Sequence, residues 1–210
     1  MAASTPTPSD AVERLHRRQR QDALQHEADQ VVDDLALDAL LRRVGRPHRV
    51  GSSRLGLMVW RDIDITVVCD HLDVRAVGLL AGDLVARGDV REVVVRSEVG
   101  RLNTDPQTYP DGVYLQVKTA QEDREEWKLD IWFVDQPERQ PDLRHVQTLP
   151  PLLDEAARDA VLLIKERWAG RSEYGTVVSS ADIYRAVVDD GVRDVDGFEQ
   201  WRAERSTPPR

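Results

Sequence analysis

The stretch that most needs a chemical reason is Asp62-Ile63-Asp64, inside "DIDITVVCD". Its β-branched, apolar residues predict a strand. Side chains alternate faces along a strand, so Asp62, Asp64 and Thr66 share one face and Ile63, Ile65 and Val67 the other. Two ionised carboxylates on adjacent same-face positions repel each other, and burying them unpaired costs several kcal/mol. A divalent cation removes both problems, because hard carboxylate oxygens suit Mg²⁺.

Three further features point the same way. Gly51-Ser52-Ser53 precedes the acidic strand; the glycine permits close backbone approach and the serines offer donors to phosphate oxygens. In "EWKLDIWFVD", Lys128, Asp130 and Trp132 fall on one face, while Leu129, Ile131 and Phe133 make an apolar one. Asp130 thereby becomes a third acid on a second strand. Three such carboxylates can hold two metal ions, which clamp the attacking and leaving oxygens of an in-line phosphoryl displacement.

The elements that must position these groups follow from pattern. Residues 1–8 are a tail of small residues and proline, and Ser9 or Asp10 caps a helix reaching about Asp29. "VVDDLALDALLRRVG" repeats apolar residues at helical spacing and stops at Gly45. "HRVG" and "DIDITVVCD" are expected strands, and "LDVRAVGLLAGDLVARG" is a helix capped by Asp73 and stopped by Gly88. "REVVVRSEV", "VYLQVKTA" and "EWKLDIWFVD" are strands, the last two separated by the charged turn "QEDRE". "GRLNTDPQTYPDG" is a loop, and Asp105, Tyr109 and Asp111 in it are either a polar connection or a flap over the acceptor. "QPERQPDLRHVQTLPP" is expected to be a linker, followed by three helices. The expected division is 1–46 tail and helices, 47–136 catalytic core, 137–210 linker and C-terminal helices. The fold class is α+β: a mixed sheet core with flanking N- and C-terminal helices, since hairpin-like neighbours exclude a purely parallel sheet.

Composition narrows the classes. The 210 residues carry a net charge of −9, which repels long nucleic acid and makes bulk nucleic acid a poor partner. The single cysteine, Cys69, allows no disulfide within the chain. No apolar run has the length of a membrane span and the first residues lack a signal-peptide core, so a cytoplasmic setting is expected. There is no His/Cys cluster of zinc spacing and no Gly-x-Ser-x-Gly elbow.

The order Gly51-Ser52, Asp62-x-Asp64, then Asp130 on a later strand resembles the nucleotidyltransferase superfamily, the polymerase-β-like fold, over roughly residues 47–136. "GSSRLGL…DIDI" is most similar to its small bacterial branch, which includes antibiotic nucleotidyltransferases. The resemblance implies that Asp62, Asp64 and Asp130 hold Mg²⁺, in two ions, and that Ser52 meets a terminal phosphate. It implies transfer of NMP from an NTP such as ATP to a hydroxyl or phosphate of a small-molecule acceptor, releasing pyrophosphate. Homodimers occur in that branch. Ser53, Arg54, Lys128 and Lys165 are candidate nucleotide ligands, with Lys118 and Trp132 as weaker ones; surface charge or core packing is the alternative for each. Two other functions compete: transfer to tRNA or to a protein, as in toxin-like relatives, and a non-catalytic nucleotide-binding or antitoxin-like module.

Overall fold

Alternation in the strand sequences decides how the sheet is covered. In the computed structural model, which describes residues 8–119 and 125–206, five strands order as β1-β2-β5-β4-β3. They are β1 (Arg46–Val50), β2 (Asp62–Val68), β3 (Val90–Glu98), β4 (Gly112–Thr119) and β5 (Lys128–Val134). β2 and β5 run parallel; the other neighbours are antiparallel. The sheet is therefore mixed, as the strand spacing implies.

One face is apolar in register. Ile63, Ile65 and Val67 lie beside Leu129, Ile131 and Phe133, and these beside Val117, Leu115 and Val113. All nine are buried. Helix α4 (Val74–Val85) packs on β3 and β4 and buries Val77, Leu80, Ala81 and Leu84. Its start is fixed by the Asp73 carboxylate, which accepts from the backbone N–H groups of Arg75 and Ala76. Burying each large aliphatic side chain contributes about 1.5–3 kcal/mol, so this layer anchors the sheet and leaves its other face for polar groups.

The N-terminal helices divide elsewhere than the pattern suggests. Helix α1 (Pro8–Asp34) continues through the expected boundary near Asp29, and α2 is short (Leu37–Leu41). The break comes at Ala36, a non-glycine residue at φ 47°, which lets both Leu35 and Leu37 be fully buried. Burial of two flanking leucines outweighs the left-handed backbone cost of about 1 kcal/mol.

The proline-rich "linker" is a correction of larger consequence. Helix α5 (Pro141–Thr148) forms there and packs on β1 and on a short helix α3 (Gly51–Leu55). Pro141 sits in the first turn, where its missing N–H costs nothing. After it come α6 (Glu155–Ala169), α7 (Ser180–Val188) and α8 (Val195–Ser206). Asp154 caps α6, and Ser179 with Asp182 forms a capping box on α7. The tail at 1–7 and most of the "QEDRE" turn lie outside the described residues.

The chain divides into two compact units. One contains residues 25–56 and 61–149, which include the whole sheet. The other contains residues up to Leu24, Leu57–Trp60 and residues from Pro150 on. In this second unit Trp168, Phe198 and Trp201 form an aromatic cluster, with centroids 5.7 Å and 5.8 Å apart. No helix of the described residues is long and apolar enough to cross a membrane.

Truncating the central layer should cost far more than truncating its margin. Ile131→Ala is expected to lower unfolding free energy by about 2–5 kcal/mol, and Val94→Ala, half-exposed on β3, by about 0.5 kcal/mol or less; urea denaturation checks both.

Candidate active site

The parallel pairing of β2 with β5 builds the site. Asp64 stands directly beside Asp130, and Asp62 beside Lys128. One carboxylate oxygen from each of Asp62, Asp64 and Asp130 lies within 4.8 Å of the others. The three acids expected to meet are thus brought together on the face opposite the apolar layer.

Three unit charges at that separation repel by on the order of 3–4 kcal/mol per pair at an effective dielectric near 20. Lys128 offsets part of it. Its Nζ donates to Asp130 Oδ2 at 2.9 Å and lies 3.3 Å from Asp62 Oδ1. Burial alone would favour the neutral amine, but the two carboxylates outweigh it and hold the ammonium well above the usual lysine range.

Asp130 is also held from β4. Tyr114 donates to its Oδ1 at 2.6 Å, and Gln116 Nε2 donates to Oδ1 at 3.4 Å and to the Tyr114 hydroxyl at 3.0 Å. Burial, then the Asp130 carboxylate, raise the Tyr114 phenol above its ordinary range, so it stays a donor. The Tyr114 ring lies 5.1 Å from Trp132, and the Arg96 guanidinium 4.6 Å above Tyr114. Sequence reasoning passed over Tyr114 and Gln116. The signal was present: they alternate with Val113, Leu115 and Val117, so they occupy the acid face of the strand that pairs with Asp130.

Gly51 is required twice. Its φ is 61°, and a Cβ there would fall 2.1 Å from Asp64 Oδ2. The turn therefore presses backbone against a carboxylate, which only glycine allows. Ser52 is 8% exposed beside it. Ser53 is buried, donates to the Val50 carbonyl at 3.3 Å and accepts from Arg49 Nε at 3.1 Å, which ties it to the turn itself. Arg54 is exposed on α3. Lys118 pairs across to Glu92 at 2.9 Å.

Lys165 departs from the expectation of a solvated face. It is 0% exposed, in the unit that does not contain the carboxylates. Its Nζ donates to the Leu57 carbonyl at 2.8 Å and lies 5.3 Å from the Trp60 ring centroid and 5.8 Å from that of Tyr184. A buried ammonium is tolerable there because a carbonyl and two aromatic faces replace water.

The 100–112 loop is tied down. Thr104 donates to Glu98 through its backbone N–H at 2.9 Å and its hydroxyl at 3.1 Å. Asp111 accepts from the Gly100 N–H at 2.8 Å, which holds its carboxyl below the usual range. Arg139 donates to the Pro106 carbonyl at 2.7 Å. These bonds describe a braced connection more than a free flap.

The acid cluster fits a hard divalent cation: three carboxylates converge, and the Lys128 ammonium pairs with two of them. Lys128→Met should leave that charge missing. Its melting temperature without metal is expected to fall below wild type, and its rise on adding Mg²⁺ to exceed the wild-type rise; differential scanning fluorimetry reads both.

No family model matches the chain, and no curated protein matches it. Solved structures do. A cytoplasmic RNA terminal U-transferase superposes with TM-score 0.50 at 20% identity, over 79% of this chain and 46% of that one. Cid1 in complex with its short product ApU gives 0.53 at 20%, over 79% and 48%. Cid1 poly(U) polymerase bound to MgATP gives 0.52 at 19%, over 79% and 50%. The chain spans about half the length of these structures, at 46–50%. At such identity the likeness establishes the fold: a nucleotidyltransferase-type mixed sheet with flanking helices.

Proposed function

We propose that this chain is a metal-dependent nucleotidyltransferase, moving NMP from an NTP to an acceptor hydroxyl and releasing pyrophosphate. The observation that carries the proposal is the convergence of Asp62, Asp64 and Asp130 within 4.8 Å, on the polar face of a nucleotidyltransferase-type sheet. Asp62 and Asp64 on β2, with Asp130 on β5, would hold Mg²⁺. When bound, the metal supplies charge neutralisation for the triphosphate and the departing pyrophosphate.

The protein's own residues do the rest. Gly51 brings backbone against Asp64 without a side chain in the way, and Ser52 beside it would offer its hydroxyl to the triphosphate. Tyr114, Gln116 and Lys128 put donors on both oxygens of Asp130. A carboxylate so engaged is oriented as a ligand and is poorly placed to take the acceptor's proton. With Asp62 and Asp130 holding a metal, the Lys128 ammonium beside them would be a partner for a phosphate oxygen. Rate acceleration comes mainly from positioning and charge neutralisation.

Two acceptor classes are in play. A small molecule, as in the antibiotic branch, is supported by the net charge of −9. An RNA 3′ hydroxyl is favoured by the fold's likeness to an RNA terminal U-transferase and to Cid1 with its product ApU. UTP and ATP are the first nucleotides to try, because one Cid1 structure holds the UTP analogue UMPNPP and a Cid1 mutant holds MgATP. The cytoplasm suits either acceptor.

Asp62→Asn and Asp64→Asn should each cut pyrophosphate release at least 100-fold while leaving circular dichroism and melting temperature near wild type. Turnover that survives either change removes the assignment.

A further inference from the structure

The sheet unit carries a basic cavity that the carboxylate site does not use. It has a volume of about 380 Å³, within the range of ligand sites, and lies between β1 and α5. Arg46 and His48 enter it from β1, and Arg144 from α5. Glu138 is the one acidic side chain in its wall.

Its arginines are unusual here. The chain has 38 acidic residues against 29 lysines and arginines, and most of its placed arginines are paired. Arg18 meets Asp159, Arg43 meets Asp83, and Arg61 meets Glu27. Arg46 and Arg144 form no ion pair among the described residues. Two guanidiniums without an ion pair, facing one cavity that holds a single carboxylate, Glu138, are set to take an anion with the planar, bidentate geometry that suits phosphate.

The cavity shares strand β1 with the turn that meets the carboxylates. Along β1, Arg46, His48 and Val50 lie beside Val68, Thr66 and Asp64. The step from Arg46 to Val50 is about 13 Å at the usual strand rise, and Gly51 follows directly, against Asp64. A second cavity, of about 580 Å³, adjoins at Arg46 and Val68 and adds Arg42 and Arg43. Arg42 and Arg43 are paired with Asp38 and Asp83 and Asp70 also lines that second cavity, so the unpaired positive charge at this edge of the sheet is that of Arg46 and Arg144.

We infer that this cavity binds phosphate groups of the acceptor, so that the acceptor is a phosphate-bearing molecule whose hydroxyl reaches Asp62 and Asp64. The inference rests on the nucleotidyltransferase reading for the hydroxyl's fate, but the anion site itself does not. An oligonucleotide end and a small phosphate ester share this chemistry.

The test uses the full chain, a fluorescein-labelled hexaadenylate RNA, and ribose 5-phosphate as competitor. Anisotropy measures RNA affinity for wild type and for Arg46→Gln/Arg144→Gln, and calorimetry measures Mg–ATP binding to both. The inference expects at least a tenfold loss of RNA affinity in the variant and a shallower salt dependence, with Mg–ATP affinity and melting temperature unchanged. Displacement of the RNA by millimolar ribose 5-phosphate assigns a small phosphate ester; no displacement assigns the oligonucleotide end. If wild type instead binds ribose 5-phosphate but no RNA, the anion site stands with the small ester. No binding of either probe, or equal affinity in the variant, overturns the site, and Mg–ATP binding that persists then leaves the nucleotidyltransferase reading intact. Loss of Mg–ATP affinity in the variant overturns the acceptor assignment in favour of the nucleotide. Probe binding without any Mg–ATP binding overturns the link to nucleotidyl transfer.

Discussion

Repulsion among three carboxylates is the constraint around which the sheet unit is arranged. Parallel pairing of β2 with β5 sets Asp64 against Asp130 and leaves Asp62 two residues away on the same face. Nothing in the hydrophobic layer beneath offsets that repulsion; it only fixes the strands rigidly enough to sustain it. The offset comes from above. Lys128 bridges Asp62 and Asp130, Tyr114 and Gln116 donate to Asp130, and Gly51 brings its backbone within a Cβ's reach of Asp64. A site that needs an ammonium at rest is a site prepared to exchange it for a cation of higher charge.

The same arrangement separates two kinds of residue. Ile131 and Phe133 are replaceable by shape alone, and their cost is cavity volume. Tyr114 and Gln116 have no such freedom, because each satisfies a buried polar partner. Their positions follow from strand register, and register follows from the apolar face: a slip of one residue on β4 would bury Tyr114 and expose Leu115.

Much of this was legible in sequence. Alternation in "DIDITVV" and "KLDIWFV" placed each acid on the correct face, and the Asp73 and Gly-Ser signals placed α4 and the turn. What escaped depended on long-range partners. α5 hid behind prolines because its stabilisation comes from packing on β1 and α3, not from its own pattern. The burial of Lys165 escaped because its partners, Leu57 and Trp60, are about a hundred residues away in sequence. The β4 donors escaped because pairing order, β5 with both β2 and β4, is not written in any one strand. The basic cavity escaped because its two arginines, Arg46 and Arg144, stand 98 positions apart and no local pattern connects them.

The central claim is that the three carboxylates hold a divalent metal together with a nucleotide. Electron paramagnetic resonance of Mn²⁺, titrated with a non-hydrolysable ATP analogue, tests it without turnover. The account predicts saturable Mn²⁺ binding that tightens with nucleotide in wild type and is lost in Asp64→Asn. Saturable binding that Asp64→Asn leaves unchanged, or none in wild type at any nucleotide concentration, would contradict it.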